Sequence, residues 1–193
     1  MVALDLHFSI LLILYGLITL VEYIIWKRRN RTTSFWGIMI VTLYILLLFK
    51  VTICPIIFLR EDSRQEFMTY VGSYYSCYQL IPFKTIINSF KTNTWFLQVI
   101  GNILLLSPIP ILYSLLRKKM PSIKILILMG ASISLIIELT QLVINIATDY
   151  PSHVVDIDDF ILNTIGVTIS SVILYLVHKN DYFIKVKQIF RKE

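Results

Sequence analysis

The chain is short of charge, and the charges that it has are uneven in sign. Only 16% of its 193 residues are charged, and 18 Lys and Arg residues outnumber 12 Asp and Glu residues. By contrast, 56% of the residues are hydrophobic, and the mean hydropathy is +0.74. Soluble globular domains carry about 25% charged residues, so this composition argues against that class and favours a membrane protein.

Cysteine and histidine are also scarce, with two and three residues respectively. Their spacing does not resemble that of a structural zinc site, so the sequence predicts no metal ligands of that kind. Cys54 and Cys77 both fall on the predicted outer side of the membrane, where a disulfide is permitted. The alternative is a pair of unlinked apolar cysteines.

The first residues lack the basic charge of a secretory signal. The segment 1–8 contains no Lys or Arg, the apolar run after it is too long for a signal peptide, and no small-residue cleavage site follows. We therefore expect the first apolar segment to be kept as a spanning helix.

Five apolar runs are long enough to cross a bilayer, which takes about 20 residues in a helix. They cover residues 6–26, 35–58, 95–116, 123–147 and 160–177. The sequence thus predicts an all-α polytopic membrane bundle of five transmembrane helices, forming a single membrane domain over residues 1–193.

Basic residues cluster in two of the connections between spans and in the C-terminal tail. The other two connections between spans are poor in Lys and Arg. The clusters lie within residues 27–31, 117–124 and 179–192. One orientation places all three in the cytoplasm, with the N-terminus outside and the C-terminus inside. The net charge of +6 then reflects topology and attraction to anionic lipid, and no nucleic-acid partner is predicted. In the basic tail 179–193, the helical spacing of Phe183, Val186 and Phe190 predicts a helix lying on the inner leaflet.

The connection between the second and third spans contains an amphipathic pattern. Pro82 suits the first turn of a helix. Apolar residues then share one face, opposite a polar face that includes Lys84. The apolar face comprises Phe83, Ile86, Ile87 and Phe90. This predicts an interfacial helix on the outer leaflet or over the mouth of the bundle, and the alternative is an aromatic loop at the head groups.

Polar side chains occur inside four spans, although a charge in hydrocarbon is costly and normally faces protein or water. At 1.5 Å per residue, four of them lie roughly 21 to 24 Å from the cytoplasmic end of their own span. These are Lys50, Asn102, Glu138 and Asn163, with Gln141, Asp156 and Asp159 slightly farther out. The count predicts one polar layer that opens to the outer face. Alternatively the layer is structural, with Lys50 neutralising Glu138.

Four segments of the second half of the chain carry recognisable motifs. They are QLIPFKTI at 79–86, NILLLSP at 102–108, SLIIELTQ at 134–141 and DIDDFILNTIG at 156–166. In this order they resemble the motifs of VanZ-like membrane proteins, from about residue 79 to about residue 170. The resemblance implies a bacterial cell-envelope protein of a family known for low-level resistance to the glycopeptide teicoplanin.

The chain departs from the family pattern at several positions. Gln79 stands where Asn is usual, Leu106 where Phe is usual, and Pro110 where Gly is usual. His153 replaces a common Arg, which would weaken a bidentate anion contact or make it pH-dependent. Pro108 and Pro110 should kink the third span and free backbone carbonyls near the polar layer.

Together these features predict a polar pocket, open to the outer face, that binds or acts on an envelope lipid or cell-wall precursor. Glu138 and Asp159 are the candidate general bases, and Lys50 and Lys84 are candidates to meet phosphate. The other candidate ligand-binding residues are Asn102, Gln141, His153, Asp156 and Asn163. Alternatives are a divalent cation held by the carboxylates, a proton or substrate relay in a transporter, and a non-catalytic accessory protein. No particular cofactor is predicted.

Overall fold

A computed structural model of the protein describes residues 2–28, 33–58 and 78–191. Its elements are β1 (Val2–Leu4), α1 (Phe8–Arg28), α2 (Phe35–Ile53), β2 (Ile56–Phe58), β3 (Tyr78–Gln79), α3 (Lys84–Lys91), α4 (Gly101–Leu105), α5 (Pro108–Leu116), α6 (Ile123–Thr148), β4 (Val155–Asp156), α7 (Ile157–Val177) and α8 (Asp181–Phe190). Among the described residues, five helical segments are long and apolar enough to cross a membrane, which confirms the predicted all-α bundle of five spans. Cys77 lies outside the described residues, so the choice between a disulfide with Cys54 and two unlinked cysteines stays open.

The third span, Phe96–Leu116, is broken as its prolines predict. It starts as a π-helical turn, Phe96–Ile100, continues as α4, and resumes as α5 after an interruption at residues 106–107. The interruption leaves the carbonyl of Leu105 without a helical partner, and the Tyr44 hydroxyl of α2 donates to it at 2.8 Å. A neighbouring span thus satisfies a backbone group that would be costly to leave unpaired in lipid.

The second span is shorter than predicted. α2 ends at Ile53 rather than at residue 58, because Pro55 disfavours the helical conformation at the residue before it and has no N–H to donate. The chain then forms β2, which pairs antiparallel with β1 near the N-terminus. At the same end of the bundle β3 pairs in parallel with β4, which brings Gln79 beside Asp156.

Small residues let the central helices approach closely. α7 packs along α6 and against α4 and α5, whereas α1 packs mainly on α2. A Cβ on Gly130 of α6 would lie 2.5 Å from Val167 of α7. A Cβ on Gly166 would lie 1.8 Å from the carbonyl oxygen of Ile103 in α4. These glycines allow the backbone contact that drives packing between membrane helices.

The C-terminal helix α8 is docked on the bundle. Phe190 is buried, with its ring against the Cα of Gly37, and its carbonyl accepts the N–H of Ser34 at 2.8 Å. The predicted helix therefore forms, but Phe190 packs on the bundle and does not contact the inner leaflet. Contact of Phe183 and Val186 with the inner leaflet stays a prediction.

Candidate functional site

A buried carboxylate from α7 caps the N-terminus of α3. Asp158 is 0% exposed, and its Oδ1 accepts the N–H of Phe83 at 2.5 Å. Its Oδ2 accepts the N–H groups of Thr85 at 2.8 Å and Ile86 at 3.2 Å. The first N–H groups of a helix lack intrahelical partners and favour negative charge. Since α3 has no acidic residue in its own first turn, a residue distant in sequence supplies the cap.

The turn before α3 is conformationally strained. Phe83 has a φ of 68°, in the left-handed region that non-glycine residues rarely adopt. Pro82 lies in this turn and not in the first turn of the helix, which corrects the sequence prediction. The hydrogen bond from the Phe83 N–H to Asp158 therefore holds a backbone conformation as well as a helix end.

Asp156 connects this cap to the α6 carboxylate. Its N–H donates to Oε2 of Glu138 at 3.0 Å, its Oδ2 accepts the Thr85 hydroxyl at 2.5 Å, and its Oδ1 accepts the Asp158 N–H at 2.9 Å. The last contact makes Asp156 the N-cap of α7. Burial raises the pKa of the Asp156 carboxyl above its ordinary value, and the hydrogen bonds from Thr85 and Asp158 oppose this. Glu138 is itself buried, with 7% of its surface exposed.

Asp159 has a different environment from Asp158. Its Oδ1 accepts a hydrogen bond from the side-chain amide of Asn102, which also donates to the Gln98 carbonyl at 2.9 Å. Within the described part of the chain, Oδ2 of Asp159 accepts no hydrogen bond. Asp159 and Asn102 are both half-buried, and Asp159 lies within electrostatic range of Asp156, Glu138 and Asp158. Of these four acids, Asp159 alone accepts no backbone N–H among the described residues.

Two other predicted residues, Gln141 and His153, hold the connection before α7 together with Asn145, which the sequence did not single out. The Asn145 side chain bonds both the carbonyl and the N–H of His153, at 2.8 and 3.2 Å. The His153 Nε2 lies 3.0 Å from the carbonyl of Ile53, at the end of α2, and the Gln141 amide donates to the adjacent Thr52 carbonyl at 2.8 Å. Burial lowers the pKa of His153. These contacts support a positioning role for Gln141 and His153.

Lys50 and Asn163 lie apart from the group around Asp159. The Lys50 ammonium donates to the carbonyl of Leu6, and no described contact joins it to Glu138, so the predicted Lys50–Glu138 pair is wrong. Asn163 is buried one turn below Asp159, and its amide nitrogen donates to the Ser134 hydroxyl at 3.1 Å. Its side-chain oxygen has no hydrogen-bond partner among the described residues. Lys84 is exposed on the first turn of α3.

Across residues 2–28, 33–58 and 78–191, the structure contains no group of three or more His, Cys, Asp or Glu side chains arranged to hold a metal ion. The carboxylates instead accept hydrogen bonds from N–H and hydroxyl groups of the protein. Sequence reasoning did not assign roles to Asp158 and Thr85. The missing acid or cap residue at the start of α3 is the signal that could have identified them.

The fold and this site define a class: a multi-pass helical membrane protein with an acidic cluster at one end of the bundle. The VanZ/LLP1 family model matches residues 41–178, and the chain belongs to this VanZ-like family. The match runs from within α2 to the end of α7 and contains every candidate site residue. Comparison with curated proteins gives no match, and neither does comparison with solved structures.

Proposed function

We propose that the protein lies in the bacterial cytoplasmic membrane and binds the head group of an envelope lipid or lipid-linked cell-wall precursor at its acidic end, defined by Glu138, Asp156, Asp158 and Asp159. In the predicted topology this end faces outward. Such binding would affect tolerance of teicoplanin, the glycopeptide to which the VanZ-like family is known to give low-level resistance. The supporting observation is the half-buried Asp159, whose carboxylate contacts Asn102 and retains an acceptor oxygen.

The contact between Asp159 and Asn102 suits a ligand rich in hydrogen-bond donors. Asp159 offers a carboxylate oxygen to a hydroxyl, amide or amine, in a partly desolvated setting where such bonds are strong. Lys84 is exposed on the helix that Asp158 caps, and its ammonium would meet a phosphate at the mouth of the site. General-base chemistry on a ligand hydroxyl, by Asp159 or Glu138, is the catalytic form of this proposal.

A second candidate is a non-catalytic accessory protein. It is favoured by the contacts of Glu138, Asp156 and Asp158, each of which accepts at least one backbone N–H. In this alternative the whole acidic end exists to fix α3 on the bundle, and α3 presents a surface to an envelope enzyme.

Replacing single acids separates the two candidates. We expect Asp159→Asn to reach the membrane in normal amount and to lose teicoplanin tolerance, because Asp159 holds no backbone N–H. Asp181→Asn is the matched control, since Asp181 is an exposed acid at the start of α8, away from the acidic end. Quantitative immunoblotting of membranes and growth in graded teicoplanin give the two readouts. Full tolerance in Asp159→Asn at normal abundance would reject the ligand site and leave the accessory role.

A further inference from the structure

A second candidate binding site lies at the opposite, basic end of the bundle, away from the acids. A groove of about 320 Å³ runs between α2, α5 and α6. Its lining is almost wholly apolar, with Ile45, Leu48, Leu112 and Met129 among its residues. The volume falls within the roughly 300 to 1,000 Å³ of small-ligand pockets. Between membrane spans such a groove is filled by a lipid chain, because an empty apolar gap forfeits dispersion contacts and water gains no hydrogen bonds there.

The groove continues into a basic pocket of about 480 Å³ at the cytoplasmic end in the predicted topology. Tyr113 lines both, and Ile125 of the pocket lies one helical turn before Met129 of the groove. Of the described residues, three cationic side chains and no acidic one line the pocket. These are Arg117, Lys118 and Lys119.

Protein contacts fix the backbone of this connection and leave its cations on the surface. The Arg117 guanidinium lies 4.9 Å from the centre of the Tyr113 ring and donates to its hydroxyl at 2.6 Å. From α8, the Lys187 ammonium donates to the carbonyl of Lys118 at 3.1 Å, which adds a fourth cation beside the pocket. Lys118 and Lys119 are exposed.

We propose that the groove and the basic pocket together bind one anionic phospholipid, with an acyl chain between α2, α5 and α6 and its phosphate at Arg117, Lys118 and Lys119. Charge complementarity selects the head group, since basic pockets between spans favour anionic lipids and a net-neutral lipid gains less. The site is independent of the function proposed for the acidic end.

Lipid retention by the purified full chain tests the head-group half of the proposal. The protein is exchanged into mild detergent with equal amounts of phosphatidylglycerol and phosphatidylcholine, and bound lipid is counted by native mass spectrometry. We expect wild-type protein to retain phosphatidylglycerol preferentially. Replacing Arg117, Lys118 and Lys119 by Gln should reduce this retention by about tenfold or more. The control replaces Lys124, Lys179 and Lys185, three exposed lysines outside the pocket, and should leave retention unchanged.

A matched pair of tryptophan variants tests the groove. Ile45→Trp fills the groove with the basic residues intact and should reduce phosphatidylglycerol retention, whereas Leu47→Trp, on an exposed part of α2 outside the groove, should not. Equal retention of the two lipids by wild-type protein would overturn the proposal. Equal losses of phosphatidylglycerol retention in the two triple variants, or in the two tryptophan variants, would also overturn it. If the variant with all three pocket residues replaced does not accumulate in the membrane, the single variants Arg117→Gln and Lys124→Gln are compared instead. Equal losses of phosphatidylglycerol retention in these two variants would then overturn the proposal.

Discussion

The two ends of the bundle use charge in opposite ways. At the acidic end, Asp156 and Asp158 are buried and accept hydrogen bonds from the backbone and from Thr85. At the basic end, Lys118 and Lys119 are exposed, and the protein bonds the backbone of their connection instead. A buried charge must be matched by the fold, whereas an exposed one contributes little to stability and stays available to a partner. Burial, more than charge itself, separates a structural group from a binding group.

The same difference operates between two adjacent residues. Asp158 and Asp159 are neighbours in sequence, but consecutive helical positions point to different sides. Asp158 faces the N-terminus of α3 and is fully buried, whereas Asp159 faces Asn102 and is half-buried. The comparison of the two ends therefore predicts large structural effects where charges or backbones are buried, and small ones elsewhere.

The largest expected effect comes from Gly166, which holds α7 against the helix that carries Asn102. Gly166→Ala should lower the free energy of unfolding by about 3 kcal/mol or more, since its Cβ would overlap the Ile103 carbonyl and backbone atoms cannot easily yield. Gly101→Ala and Gly16→Ala are controls, because no atom of the described residues lies within 4 Å of their added Cβ atoms. Thermal unfolding in detergent checks this, and equal melting temperatures for Gly166→Ala and Gly101→Ala would contradict it.

The next effect concerns the cap of α3. Asp158→Ala leaves the N–H groups of Phe83, Thr85 and Ile86 without an acceptor and should cost roughly 3 kcal/mol. Asp158→Asn should cost less, because an amide oxygen still accepts. Hydrogen exchange of residues 84–91 measures the effect locally, with Asp181→Ala as the control. Unchanged hydrogen-exchange protection of α3 in Asp158→Ala would show that Asp158 does not stabilise this helix as its cap.

A smaller effect is expected at Lys50, whose ammonium bonds the Leu6 carbonyl. Lys50→Met should cost about 2 kcal/mol, the net value of a hydrogen bond made by a charged group. Because Lys50 and Glu138 are not paired, the exchange Lys50→Glu with Glu138→Lys should recover none of the stability that either single change loses. Recovery of stability in that double variant, measured by thermal unfolding, would show that Lys50 and Glu138 do form a charge pair.

The smallest effect is a pH dependence at His153. Burial lowers its pKa in the folded protein, so the stability that it contributes is present above its ordinary pKa of 6.5 and is lost as the pH falls below it. Asp156 acts in the opposite sense, because its raised pKa favours the folded state at low pH. His153→Gln should therefore flatten the fall in melting temperature between about pH 7.5 and 5.5. An equally steep fall in the variant would exclude His153 as its source.

Hydropathy was sufficient to predict the number of spans, and the prolines of the third span were sufficient to predict its kink before Pro108, because both depend on local chain chemistry. The predicted end of α2 was wrong, because the helix stops at Ile53 before Pro55 and the chain then pairs with the N-terminal strand. Depth counting placed polar residues at one level but could not assign their partners. Lys50 bonds a carbonyl, and Asp158 caps a helix far away in sequence, since rotation about the helix axis and the path of a connection decide such contacts.

The difference between Asp158 and Asp159 decides whether the acidic end binds a ligand or only holds α3. The direct measurement is mass spectrometry of lipids that co-purify with equal amounts of folded wild-type protein and Asp159→Asn from the bacterial host. A lipid or lipid-linked precursor enriched on the wild-type protein and depleted on Asp159→Asn, with phosphatidylglycerol unchanged, is the predicted result. Identical lipid profiles for the two proteins would contradict a ligand site at the acidic end.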